Sequence, residues 1–525
     1  MTNSMEDMRS ADLIFVVGSN TTEQHPLAAE RIIAAKKQGA RLIVADPRRT
    51  ALAALADIHL PLKPGTDLYV INAMAKCILD AGLHAKEFIR KRTEGFEEFT
   101  AALAPWTLER AEEESGIAAD VISKAAHWYA HGPDSSLVYC MGVTQHSSGT
   151  ANCLALANLV MLCGMVGRPN TGLNPLRGQN NVQGACDMGA LPDVLTGYLR
   201  ADSAEGWERF TPVWGDFAAT AGLTLTDMID GAARGGIRSL FIMGENPAVS
   251  DPDTAHVLKA LSRLDFLVVQ DIFLTETAGH AHVVLPAASW LEKEGTFTNT
   301  ERRVQKVNRV LPPLSGTLPD WEILTRLLRN MGHKAEYGNP EDIFMELRSV
   351  TPSYAGMTYA RLEKEQGICW PCPAEDHPGT PCLHQDAFAR GKGRFAAQFV
   401  VNEQERVSNA YPLQLTTGRV GFQYHTGSMT RRIWALEREF PDNFVEMHPD
   451  DAKTVGAQDN RMVRVSSQRG SVLARVRINR DIRRGVVFMP FHYSDNPANA
   501  LTGGRRDPVT KTPAFKASAV RIEEA

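Results

Sequence analysis

"LIFVVGSNTTEQHP", residues 13–26, is a short apolar run that stops at a glycine, a small residue and an asparagine before turning helical. The same order returns in "SLFIMGENPAVSDP", residues 239–252, and the resemblance continues downstream of both. In the first copy "RLIVADPRRT" ends a second apolar run at Asp46 and "ADIHLPLKPGTD" follows; in the second, "FLVVQDIFLT" ends at Asp271 and "AHVVLPAASWLEKEGT" follows. Gly18 lies 28 positions before Asp46 and Gly244 lies 27 before Asp271, while Asp46 to Pro61 and Asp271 to Pro286 are both 15. Strand, glycine turn, helix, strand and acidic residue are the parts of a doubly wound α/β unit, which binds nucleotides outside the carboxyl ends of its strands. Neither copy carries the later glycines of the dinucleotide fingerprint, which speaks against NAD. An amide and a carboxylate beside the turn suit ribose hydroxyls or the donor edge of a guanine. A duplicated half then implies two nucleotide moieties.

Between the copies, "AADVISKAAHWYAHG" reads as a helix and "LVYCMGVTQHSSGT" as a third strand whose Gly142, Thr144 and Gln145 join the same edge. His146 reads as a hydrogen-bonded structural histidine. The apolar stretch "CLALANLVMLCGMVG" is interrupted by Asn158 and is shorter than the roughly 20 residues of a spanning helix, so it reads as a core helix. "LRGQNNVQGACDMGALPD", residues 176–193, follows neither a helical nor a strand period. Its glycines and amides let backbone approach a polar ligand, and Arg177 is a fork for a carboxylate. "ERRVQKVNRVLPPLSGTLPDWEILTRLLRNMG" reads as a basic turn followed by an amphipathic helix. From Tyr411, "YPLQLTTGRV", "MVRVSSQRGSVLARVRI" and "GVVFMPFH" have the β-branched density of a closed or nearly closed barrel.

At 525 residues the chain has room for three or four domains of about 150 residues. A net charge of −5 with no basic block argues against nucleic acid or an anionic membrane as partner. The N-terminus lacks the basic and apolar segments of a signal peptide, which points to a cytoplasmic protein. Eight irregularly spaced cysteines suit a reducing compartment. In "CWPCPAEDHPGTPCLH" the four prolines make Cys369, Cys372, Cys382 and His384 part of a rigid extended loop rather than a zinc or iron–sulfur site.

Together "RGQNNVQGACDMGALPD", "MGVTQH", "GTFTNTERRVQ", "HTGSMTRR" and "DPVTKTPAFK" resemble, over the whole chain, the molybdenum or tungsten enzymes that carry a bis(molybdopterin guanine dinucleotide) cofactor, and among them the formate dehydrogenase catalytic subunit. The resemblance implies an α/β protein with two related doubly wound nucleotide-binding domains, residues 1–179 and 180–300, a loop-rich and helical connection over 301–405, and a C-terminal double-psi-like β-barrel over 406–525. It places Arg177 beside the metal as the formate-binding residue, with Gly178 and Gln179 lining the cofactor. Gly18, Asn20, Asp46, Pro47, Arg48, Gly65 and Asp67 would hold one dinucleotide; Gly244, Glu245, Asn246 and Asp271 would hold the other. Met141, Gly142, Gln145, Arg419, His425, Thr426, Gly427, Ser428, Asn499 and Lys516 would approach pterins and phosphates. Formate is the implied substrate and electron-transfer subunits of iron–sulfur, flavin/NAD or hydrogenase type the implied partners.

Members of that family carry, ahead of the position matching Met1, four cysteines holding a [4Fe–4S] cluster and then a selenocysteine or cysteine metal ligand followed by histidine. No residue here matches these, so none is assigned to the metal. The expected reading is a catalytic subunit seen without that portion, through a UGA codon read as stop or a split into two chains, and without formate oxidation in isolation. A noncatalytic cofactor-binding chain is the alternative, and a nitrate or other oxyanion reductase a third. Retention of Arg177 favours the first.

Overall fold

The computed structural model describes residues 1–401 and 405–525; residues 402–404, inside the expected connection, lie outside the described residues. The chain forms two compact units, one of Met1–Leu176, Val249–Ala255 and Cys382–Ala525, the other of Arg177–Ala248 and His256–Pro381.

In the first unit β1 (Leu13–Val17), β2 (Arg41–Ala45), β3 (Ile58–Leu60), β4 (Ser135–Tyr139) and β5 (Leu173–Pro175) form a parallel sheet in the order β3-β2-β1-β4-β5. All five residues of β1 are buried because both faces of the sheet are covered, and this is why the strand reads as an unbroken apolar run. Leu13, Phe15 and Val17 enter one core with α2 (Asp67–Asp80), α3 (Ala119–His131) and α4 (Gly149–Leu162). Ile14 and Val16 enter the other with Ala28, Ile32 and Ala35 of α1 (Pro26–Lys37). Helix α4 is the expected core helix. Asn158 within it both donates to and accepts from the Ala396 backbone, at 2.9 and 3.0 Å, so its amide is satisfied inside the core. Among the described residues no helix is long and apolar enough to cross a membrane.

The chain runs outward from β1 to β3 and then returns to the opposite side of β1 for β4, which makes the gap between β1 and β4 the topological switch point. Gly18 and Gly142 close that gap. Gly18 has φ +58°, and the Gly142 N–H donates to the Gly18 carbonyl at 3.0 Å. A Cβ on Gly18 would lie 2.8 Å from the Gly142 carbonyl carbon, and one on Gly142 would lie 2.5 Å from the Gly18 oxygen.

In the second unit β6 (Ser239–Met243), β7 (Phe266–Asp271) and β8 (Val283–Pro286) form a parallel sheet in that order, and its register repeats the first. Val17 pairs with Ala45 as Met243 pairs with Gln270, and Ala45 pairs with Leu60 as Gln270 pairs with Leu285. The Gly18 N–H donates to Ala45 O and the Gly244 N–H to Gln270 O, both at 2.9 Å, and Gly244 has φ +64°. The second copy contains only the three-stranded half. Its core covers one face, on Leu267, Val269, Val257 and Leu261, while Phe241 and Met243 of β6 are exposed.

The stretch expected as a basic turn is instead a strand, β10 (Arg303–Val307), paired antiparallel with β9 (Gly295–Thr298). The turn lies just before it: Arg302 has φ +68°, and its buried guanidinium donates to the carbonyls of Trp370, Thr380 and Pro381. A cation whose terminal nitrogens are taken up by carbonyls inside behaves as core, so charge alone misleads here.

The C-terminal part of the first unit is a closed six-stranded barrel of β11 (Leu413–Gly418), β12 (Phe444–Met447), β13 (Met462–Ser466), β14 (Ser471–Ile478), β15 (Val486–Pro490) and β16 (Ser518–Glu524), ordered β11-β15-β12-β14-β13-β16. Leu415, Val445, Met447, Val465, Val487 and Val520 fill it. Arg48, two residues beyond Asp46, secures the barrel to the sheet: its guanidinium lies 3.8 Å from the Phe488 ring centroid and its backbone bridges to Ile482.

If the backbone approach at the switch point is essential, Gly18→Ala carries both a left-handed strain and a steric clash, a cost of about 2 kcal/mol or more, whereas Gly244→Ala, with nothing within 4 Å of its Cβ, carries only the strain of about 1 kcal/mol. Hydrogen–deuterium exchange of the β1 and β6 amides measures this, and equal losses of protection would show that the two glycines face the same constraint.

Candidate functional site

The carboxyl ends of β1, β2 and β4 bring together Gly18, Asn20, Asp46, Pro47, Met141, Gly142 and Gln145, and the barrel delivers Arg419 just past β11 and Lys516 just before β16. Asp46 is buried and its Oδ1 accepts the Arg48 N–H at 2.9 Å, fixing the turn after β2. Burial pushes its carboxyl above the ordinary range, and the neighbouring Arg48, His59 and Lys516 charges pull it back. Asp67, buried at the start of α2 just after Gly65 (φ +85°), is pushed up to about 7 by burial and by Asp46. His146 is buried with Nε2 2.9 Å from Gly142 O and 3.8 Å from Asp67 Oδ2, where it holds the loop after β4.

The Lys516 Nζ donates to Thr417 O at 2.5 Å and its N–H to Gln145 O at 3.3 Å. Burial, and then the Arg419 charge, lower this ammonium from 10.5 to about 8. Among the described residues Lys516 makes no ion pair, and its electrostatic neighbours are Arg419, Cys140, Arg48 and Asp46. Two cations held in poor solvation at a switch point fit a bound polyanion such as a pyrophosphate, which would repay their desolvation. Arg48 contributes to the same field, but its guanidinium is committed to Phe488 and lies 3.5 Å from Glu446. His25 and His425 are each lowered to about 4 by burial and by Arg419, so both rings are neutral. His425 has φ +51° and packs on Phe491; Gly427 follows with φ +73°, and the Thr426 and Ser428 hydroxyls are 3.0 Å apart. Asn499 donates to Val249 O and Ser250 O, both at 2.9 Å, leaving buried Oδ1 without a protein partner. Cys140, whose thiol lies 3.4 Å from His25 Nε2, joins this edge without any signal in the sequence beyond its place after β4.

In the second unit Gly244, Glu245, Asn246 and Asp271 share the carboxyl edge of β6 and β7. Asp271 repeats the turn of Asp46: its Oδ1 accepts the N–H two residues on, from Phe273 at 3.3 Å, and that of Ile272 at 2.7 Å. The Asn246 side chain is turned inward, accepting from the Thr277 N–H and hydroxyl and donating to Glu276, so it does not face outward from this turn. Arg177 belongs to the same unit. Its N–H donates to the Thr300 hydroxyl at 3.0 Å and its Nε to Gln183 Oε1 at 3.0 Å, Gln183 lying on α5 (Val182–Asp187). No described residue accepts from its terminal Nη1 or Nη2. Gly178 and Gln179 continue the loop into α5 through Asn181, which has φ +58°. Cys372 is buried with its thiol 3.4 Å from the His377 carbonyl, and among the described residues no group of three His, Cys, Asp or Glu side chains is placed to hold a metal ion.

The ammonium of Lys516 gives a test with a definite sign. Its folded value lies below its unfolded one, so the cofactor-free protein lacks its contribution to stability below pH 8 and recovers it as the pH rises toward 10.5. Lys516→Met should therefore raise the urea midpoint at pH 7, with the gain over the parent shrinking between pH 8 and 10.5, while retention of a bound dinucleotide falls. A lowered midpoint at pH 7 would mean that the ammonium has a stabilising partner.

Residues 1–330 match the family model described as molybdopterin oxidoreductase, and residues 413–519 match the molybdopterin dinucleotide binding domain. The chain is 49% identical to the F420-dependent formate dehydrogenase subunit alpha of Methanocaldococcus jannaschii over 100% of its own length and 78% of that protein. It is 38% identical to the assimilatory nitrate reductase catalytic subunit of Bacillus subtilis, over 99% of this chain and 76% of that one. In fold it is similar to acetylene hydratase from Pelobacter acetylenicus, with a TM-score of 0.78 at 19% identity, over 99% of this chain and 80% of the other. With a family model over residues 1–330, a second over the C-terminal barrel, and relatives of this identity and coverage, the chain belongs to the molybdopterin oxidoreductase family.

Proposed function

We propose that this chain is the catalytic subunit of a formate dehydrogenase, oxidising formate to carbon dioxide, a proton and two electrons. The observation that carries this reading is the guanidinium of Arg177, half-buried, anchored through Nε alone and with both terminal nitrogens unpartnered among the described residues. Formate has no handle other than its two oxygens. A planar fork grips both at once and fixes where the C–H bond points, which a lysine ammonium cannot do. Relatives named as formate dehydrogenases at 45 to 49% identity support formate over nitrate, for which the named relative is at 38%. The same fork also suits nitrate, a planar oxyanion, so formate oxidation and nitrate reduction are assayed side by side.

A bis(molybdopterin guanine dinucleotide) group carrying molybdenum or tungsten would supply the two-electron acceptor. Gly18, Asp46, Gly142, Arg419 and Lys516 would hold one dinucleotide, and Gly244, Glu245 and Asp271 the other. His425, Thr426, Gly427 and Ser428 would approach its pterins. The electrons would leave for an electron-transfer subunit, in a cytoplasmic enzyme; relatives extend beyond the 78% of their length that this chain spans.

Replacing Arg177 by Lys keeps the charge but removes the fork. In the full-length holoenzyme we expect kcat/KM for formate to fall about tenfold to a few hundredfold, the loss of one good charge-assisted contact, at unchanged metal and pterin content. Unaltered kcat/KM would take Arg177 out of the substrate site.

A further inference from the structure

Behind Arg177 stands a polar cluster to which the proposed reaction assigns nothing. Asp187 closes α5 and is 1% exposed, and its carboxylate accepts four hydrogen bonds from neutral groups. The Gln183 amide and the Tyr198 hydroxyl donate to Oδ1, both at 2.8 Å, while the Tyr354 hydroxyl at 2.5 Å and the Trp370 indole at 2.8 Å donate to Oδ2. Gln183 Nε2 also donates to the Tyr198 hydroxyl at 2.8 Å. No cation pairs with this carboxylate among the described residues, which is an expensive way to build a core unless the charge has a use. Backbone strain is concentrated at the same place. Tyr198 has φ +65°, a conformation that bulky side chains rarely adopt, and it directly follows Gly197 at φ +70°.

Chemistry fixes the sense of this chain of bonds. A carboxylate only accepts, so the Gln183 amide must turn its NH2 toward Asp187, and its carbonyl Oε1 then faces the other way, onto Arg177 Nε. We propose that Asp187 is a positioning residue which, by setting the orientation of the Gln183 amide, holds Arg177 by Nε and leaves Nη1 and Nη2 aimed as the fork for the substrate carboxylate. This rests on the reading of Arg177 as the formate-binding residue. An asparagine at 187 has nearly the same shape but can itself donate. The Gln183 amide is then free to flip, presenting NH2 to a guanidinium that needs an acceptor.

The test uses full-length holoenzyme labelled with 15N-arginine, with the Arg177 Nε–H resonance identified by its loss in Arg177→Lys. Asp187→Asn is expected to speed hydrogen exchange at that Nε–H about tenfold or more and to raise the KM for formate by a similar factor, with a smaller change in kcat. Tyr354→Phe removes a donor from Oδ2, away from Gln183, and should lower stability while leaving the Nε–H exchange as it was. A purely structural Asp187 would make both variants less stable and move the arginine signal in neither. If Asp187→Asn does not fold, Gln183→Met removes the acceptor alone and should release the same Nε–H. Unchanged exchange in the folded variant overturns the proposal. Unchanged formate KM in Arg177→Lys overturns only the reading of Arg177, because the exchange experiment still reports whether Asp187 holds that side chain.

Discussion

The contact on which the first unit turns is backbone against backbone. Gly18 and Gly142 meet at the ends of β1 and β4 with no room for a Cβ on either, and the Gly142 N–H closes the approach on the Gly18 carbonyl. A parallel sheet that reverses its winding must open a crevice between the two strands from which the chain departs in opposite directions. Glycine at both lips keeps that crevice narrow and lined by main chain. Asp46 just after β2, Met141 and Gln145 just after β4, and Lys516 just before β16 lie around it, placed by the strands that it holds in register.

Several titratable groups around the crevice are poorly solvated. Lys516 and Arg419 are both held below their ordinary values by burial, Asp67 above its own, and two histidines, His25 and His425, are kept neutral. Groups so poorly solvated are common where a ligand completes the solvation, and here they lie on loops of two different subdomains of one unit. Arg48 joins those subdomains by packing its cation on Phe488 beside the Asp46 turn, so barrel seating and the carboxyl edge of the sheet share one short segment.

Much of this was legible in the sequence because the repeat is spaced by hydrogen bonds. Gly18 and Gly244 stand at fixed distances from Asp46 and Asp271 since each glycine N–H donates to the carbonyl just before the aspartate. The β-branched alternation of "SVLARVRI" likewise announced β14 and the barrel. Other features left no local mark. The donors to Asp187 include Tyr354 and Trp370, 167 and 183 residues away, and the stretch around Gln183 and Asp187 showed no helical period that would have paired them. Arg302 and its neighbours looked like a solvated basic turn, whereas the Arg302 guanidinium is spent on three carbonyls and the chain continues as β10. The inward turn of Asn246 was equally hidden, because its partners Glu276 and Thr277 lie 30 residues on.

The duplicated glycine–aspartate turn is proposed to hold a doubled guanine dinucleotide. The most direct measurement is to purify the holoenzyme, release its cofactor with acid, and quantify guanine nucleotide against molybdenum and tungsten. Two guanine nucleotides are expected for each metal atom, one for each copy of the turn. One guanine per metal, or a pterin without nucleotide, would contradict it.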